Sequence, residues 1–105
     1  MVEKGLKHQS VMRVVDGNTA DYIGSGDMAV LATPAMVALM ENAAMMAVAP
    51  HLAEGETTVG SMISTSHLKP SKVGATILAS AELVEVDGRK LSFKIAAYDG
   101  ETLIG

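Results

Sequence analysis

Residues 31–50 read LATPAMVALMENAAMMAVAP, a run whose apolar side chains leave almost no polar stripe at helical spacing. From residue 36 to residue 48 every position is Ala, Val, Leu, Met, Glu or Asn, and most of these favour helix. Thr33 followed by Pro34 forms a start signal, because a threonine hydroxyl can cap the first turn and proline suits the first helical position. Pro50 and the HLAEGE that follows it stop the helix. A helix apolar on all sides is expected to be buried. Elsewhere the period is two. A short β-branched strand over 10–15 is followed by the turn DGN, and 17–28, rich in Gly, Asp, Asn and Ser, reads as a loop. Strands are expected over 57–68 and 75–86, separated by a break at Lys69, Pro70 and Ser71. A further strand is expected over 91–97, where Leu91, Phe93, Ile95 and Ala97 share one face. Asp87-Gly88 and Asp99-Gly100 are hairpin signals, and ETLIG opens another strand, within which the sequence ends. Strand, long apolar helix, then antiparallel meander is an α+β order, with one helix wrapped by a sheet. The hot-dog architecture satisfies that order.

Composition narrows the picture. The 105 residues suit one compact domain, 1–105. Apolar residues make up 49%, enough for a core, while charged residues at 19% fall short of the usual quarter. That deficit points to a surface covered by a second copy of the chain, hence a homodimer. The net charge of −4, without a basic run, argues against nucleic-acid binding. With no cysteine there is neither a disulfide framework nor a thiolate metal site, and the three histidines show no metal spacing. Pro34, Glu41 and Asn42 interrupt the apolar run and argue against a membrane span. The start, MVEKGLKHQS, has no apolar signal core, so cytoplasm is the expected location.

Three side chains stand out as candidate chemistry. Glu41 is a carboxylate in a helix expected to be buried, which is costly unless it is paired or used. It could equally tip to solvent or make a structural hydrogen bond. Thr33 is accounted for as a helix cap, but a helix N-terminus can also hold an oxyanion. His67, in STSHLKP, alternates with Val59, Ile63 and Thr65, and an inward histidine there is as readily a satisfied core residue as a functional one. His8 near the terminus and His51 past the helix end are weaker candidates. GSGD at 24–27 lacks the lysine of a phosphate loop. The eight methionines, several on the helix, are expected mainly as core filler.

From residue 30 onward the chain resembles the fluoroacetyl-CoA thioesterase-like group of hot-dog proteins. The resemblance is carried by LME at 39–41, APHL at 49–52, EG at 54–55, SH at 66–67, VDGRKLSF and the second hairpin DG. It implies a catalytic set of Thr33, Glu41 and His67, with Gly60 and Gly74 near the bound thioester. The implied activity is hydrolysis of a short acyl-CoA to free acid and CoA, which enters as substrate; no cofactor is implied. The family's phenylalanines before the helix have no counterpart in GSGDMAV, which points to a different acyl group. The family's last strand also has no counterpart.

Eight residues of helix separate Thr33 from Glu41 by roughly 12 Å, too far for a direct hydrogen bond. Either the substrate spans that distance or the two residues come from different subunits, and a site at a dimer interface, as hot-dog dimers commonly have, is the favoured expectation. In it Glu41 would act as general base or nucleophile, His67 would assist, and Thr33 with the helix N–H groups would hold the oxyanion. Lys69, Lys72, Arg89 and Lys90 are candidate CoA phosphate contacts. The alternative is a non-catalytic hot-dog dimer that binds an acyl-CoA or another small apolar ligand in the same cavity. Glu41 separates the two readings, since a binding module gains little from it. A hydratase ranks last, because no Asp and His lie close together in one segment.

Overall fold

The computed structural model describes residues 2–105. The first strand, β1, covers Lys7–Arg13 and so begins before the β-branched stretch that announces it. It pairs antiparallel along its whole length with β2 (Thr76–Asp87), from Lys7 opposite Glu82 to Arg13 opposite Thr76. Pairing here overrides the weak strand preference of Lys7, His8 and Gln9. His8, near the terminus, lies in this ladder opposite Ala81.

The expected loop over 17–28 holds more structure than its composition suggests. A 3-10 turn at Asp16–Asn18 leads into the one-turn helix α1 (Ala20–Ile23), which ends at Gly24 in the left-handed region, φ 93°. The Asp21 carboxylate accepts the Tyr22 N–H at 2.9 Å and lies 2.6 Å from the Thr19 hydroxyl. Such side-chain bonds to nearby backbone favour local turns, and polar residues can supply them.

Helix α2 covers Thr33–Val48 and is followed by a 3-10 turn at Ala49–His51. Its first residue is Thr33 and its N-cap is Ala32, so Pro34 takes the second position and Thr33 caps nothing. The helix is also not buried on all sides. Met36, Leu39, Met40, Ala43, Ala47 and Val48 form the buried stripe. Thr33, Pro34, Ala38, Glu41, Asn42, Met45 and Met46 remain exposed. The sheet covers one side of the helix, and side-chain polarity alone did not show which side.

The sheet order is β1-β2-β3-β4, all antiparallel, with β3 at Lys90–Asp99 and β4 at Thr102–Leu103. Both hairpins turn one residue later than the Asp-Gly signals suggest. Asp87 pairs with Lys90 and Asp99 with Thr102, so each glycine is the first loop residue, at φ 60°. A glycine there suits the primed turns that match strand twist. The inner face of β2, Ile77, Ala79, Ala81 and Leu83, is fully buried. Three alanines, at 79, 81 and 97, lie in one cluster with Met36, Leu39 and Met40, so small residues of the sheet receive large ones from α2.

The strand expected over 57–68 does not form. Its residues are mostly exposed, Val59 at 86% and Met62 at 84%, and its ladder contact is a single bond from the Leu68 N–H to the Ile104 carbonyl (2.7 Å). Period-two residues permit an extended backbone, but a strand also needs a neighbouring edge. The alternation that grouped His67 with Val59 and Ile63 on an inward face therefore does not hold. Among the described residues no helix is long and apolar enough to cross a membrane.

Candidate active site

The segment before β2 lies along the exposed face of α2 and meets it at two places. At the start of the helix, Thr33 Oγ1 lies 2.8 Å from His67 Nδ1. The threonine hydroxyl is free for this bond because Ala32, without a side-chain cap, occupies the N-cap. Leu31, just ahead of the helix, is held by its N–H to the Ser71 carbonyl (2.9 Å), and Val30 bridges to Lys72. These bonds fix the chain after His67 against the chain before Thr33, which brings the pair together. Burial pushes the pKa of His67 below the ordinary histidine value, so the ring is neutral at neutral pH. Its other nitrogen, Nε2, is buried without a partner.

Two turns further along α2, Glu41 meets Gly60. A Cβ placed on Gly60 would lie 2.5 Å from Glu41 Oε2, so only glycine leaves the carboxylate where it is. Glu41 is exposed in the single chain, which overturns the expectation of a buried carboxylate. Gly74 is at φ +98°, its N–H bonded to the Val14 carbonyl (2.8 Å), with nothing within 4 Å of a Cβ placed there. Its backbone conformation explains that glycine without a ligand.

The structure thus gathers Thr33 with His67 and Glu41 with Gly60 on the same helix face. Thr33 and His67 border a half-open pocket of about 300 Å³, lined also by Val30, Leu31, Ser25 and Lys69. Of the proposed phosphate contacts, Lys69 lines this pocket, whereas Arg89 lies in the loop of the β2–β3 hairpin. His51 is exposed past the end of α2. The sequence reading missed Ser10, nearly buried on β1, whose hydroxyl donates to Asn42 Oδ1 at 2.7 Å. That bond ties α2 to the sheet one residue beyond Glu41. Its only signal was Asn42, a polar residue in an apolar run; Ser10 follows the polar residues Lys7, His8 and Gln9 and gave none.

The sequence profile of the fluoroacetyl-CoA-specific thioesterase family matches residues 14–105. The chain belongs to that family. It is 43% identical over 76 residues to the fluoroacetyl-CoA thioesterase of Streptantibioticus cattleyicolor, a match covering 72% of this chain and 55% of that protein. The chain therefore spans about half the length of this curated relative. Among solved structures it is similar to a mutant fluoroacetyl-CoA-specific thioesterase in complex with fluoroacetate and CoA. That likeness has a TM-score of 0.90 at 32% identity, over 98% of this chain and 87% of the other. A thioesterase superfamily member from Thermus thermophilus follows at TM-score 0.89 and 26% identity, over 99% and 77% of the two chains. A hot-dog-like protein from Thermanaerovibrio acidaminovorans, at 20% identity and TM-score 0.85 over 96% and 75%, shares the fold. The helix-on-sheet arrangement of this family member is thus the hot-dog fold, in keeping with the α+β order of its sequence.

Proposed function

We propose that the protein is an acyl-CoA thioesterase that releases a short acid and free CoA, with its site completed across a homodimer. The observation that carries this reading is the Thr33–His67 pair, 2.8 Å apart, at the start of α2 and on the wall of the pocket. Its place in the fluoroacetyl-CoA-specific thioesterase family supports the same chemistry.

His67, neutral, carries one ring proton. With that proton on Nδ1, the ring donates to Thr33 Oγ1, and the threonine O–H stays free to donate to the thioester oxygen. This tautomer leaves the buried Nε2 as an unpaired acceptor instead of an unpaired donor, the rarer of the two among buried backbone groups. Glu41 takes a proton from water as the water oxygen bonds to the thioester carbon. The oxyanion is held by Thr33. The C–S bond then breaks, and the proton passes to the CoA sulfur.

Along one helix Glu41 lies about 12 Å from Thr33, beyond the reach of one carbonyl group. A second copy supplies the missing carboxylate in this reading. The exposed apolar side chains Met45, Met46, Val59 and Met62, on and beside the face that bears Glu41, support such a pairing. A cytoplasmic site of action goes with it.

Mixed chains test the reading. Thr33→Ala and Glu41→Ala homodimers are each expected to lose about 10²-fold or more of the thiol release from acyl-CoA esters. The purified heterodimer keeps one complete site of two and should recover about half the parent rate, since each site is independent in this geometry. Inactive heterodimers would place the whole site in one chain. A parent that releases no thiol from any ester would leave a binding module.

A further inference from the structure

The pocket beside Thr33 and His67 is not a plain apolar slot. Val30, Leu31, Leu68 and Pro70 make part of its lining apolar, but Ser25 and Lys69 add polar groups to it. Ser25 comes from the loop after α1. Lys69 comes from the turn after His67. No aspartate or glutamate lines the pocket, and Asp27 on the same loop is exposed and outside the lining. His67 is neutral there, so among the lining residues of one chain Lys69 is the charged group, while the Glu41 carboxylate brought by the second copy belongs at the thioester carbon, away from Lys69 in this reading. The N-terminal end of α2, where Thr33 is the first residue, adds to the same positive potential. A short apolar acyl group would leave the Lys69 ammonium and the Ser25 hydroxyl without a partner on the ligand. A pocket of about 300 Å³ is at the small end for ligand sites and takes only a short chain.

We propose that the acyl group accepted here is short and ends in an anion, the carboxylate of a dicarboxylic acid monothioester, which Lys69 and Ser25 bind while Thr33 holds the thioester oxygen. The inference rests on the thioesterase reading and narrows its substrate class. A lysine beside a CoA ester could instead meet the phosphates of CoA, and the test separates these roles.

Thiol release is measured on two matched pairs, malonyl-CoA with butyryl-CoA and glutaryl-CoA with pentanoyl-CoA. The proteins are the parent, Lys69→Met and Ser25→Ala. Both members of a pair carry the same CoA half, so contacts to CoA cancel in the ratio of their kcat/KM values. The parent is expected to favour the acidic ester of at least one pair by about tenfold or more, the size of one charge-assisted hydrogen bond. Lys69→Met should bring that ratio close to one, and Ser25→Ala should lower it by a smaller factor. A parent that favours the neutral esters overturns the proposal. So does a Lys69→Met loss that is equal on both members of a pair, which would assign Lys69 to the CoA phosphates. Absence of thiol release from all four esters, in a chain shown to be folded, is a distinct result: it removes the thioesterase reading and this proposal with it.

Discussion

Removing the Thr33 hydroxyl should cost activity and leave the fold intact. The residue is exposed and caps nothing, so Thr33→Ala loses only the bond to His67 and should lower stability by about 1 kcal/mol. Loss of one oxyanion donor should lower kcat by about 10²- to 10³-fold, read in thiol release beside a urea melt. Gly60→Ala separates the same two quantities at Glu41. The new methyl group would meet a carboxylate oxygen at the end of a flexible side chain, which can swing away at little cost to folding. The expected outcome is a near-parent melt with a clear drop in kcat, and a parent-like kcat would show that the position of Glu41 does not matter. His67 gives the pH dependence. Its folded pKa is below 6.5, so the folded chain binds fewer protons than the unfolded one as pH falls past 6.5. Stability and activity should both be at their plateau above that value. Both should fall as the medium is acidified through the histidine's folded pKa, and His67→Gln should flatten its part of the stability profile.

At the scale of elements, α2 is divided lengthwise into a buried stripe and an exposed stripe that bears the proposed site. Met40 lies on the first, 1% exposed and packed in the sheet-facing cluster, and Met40→Ala should destabilise the protein by about 2–5 kcal/mol through transfer and cavity terms. Thr33 and Glu41 lie on the second, where the chain over 60–67 runs beside the helix. The sequence placed this helix, its end at Val48 and the strands after residue 75 with little error, because each is fixed by local patterns: helix formers, a proline stop, alternation and glycine turns. It misplaced what depends on neighbours. Residues 57–68 have the composition of a strand but no paired edge. Thr33 looked like a cap, yet Ala32 holds that position and the hydroxyl turns to a histidine 34 residues away.

For the whole molecule, the exposed apolar residues bear on the proposed dimer. Met62 and Val59 are more than four-fifths exposed on the single chain, beside a helix face that also shows Met45 and Met46. Burial of that surface against a second copy would join two half-sites. A Met62→Lys chain should then run near the monomer mass in light scattering and lose activity together with the dimer. A variant that stays dimeric and active would remove this face from the interface. The proposed dimer would also account for the deficit of charged residues in the composition.

What the sequence determined by itself was the α+β order, the long helix, the hairpins, and a family resemblance strong enough to name Thr33, Glu41, His67, Gly60 and Gly74. Those features lie in neighbouring residues or in motifs of a few positions, so no folding is needed to read them. Only the tertiary structure decided which helix face meets the sheet and that Thr33 bonds His67. It also showed that Glu41 is exposed against Gly60, and that Ser25 and Lys69 border the same pocket. Each of these is a meeting of residues far apart in the chain, set by which surfaces pack and which backbone groups pair, and composition carries no record of such meetings.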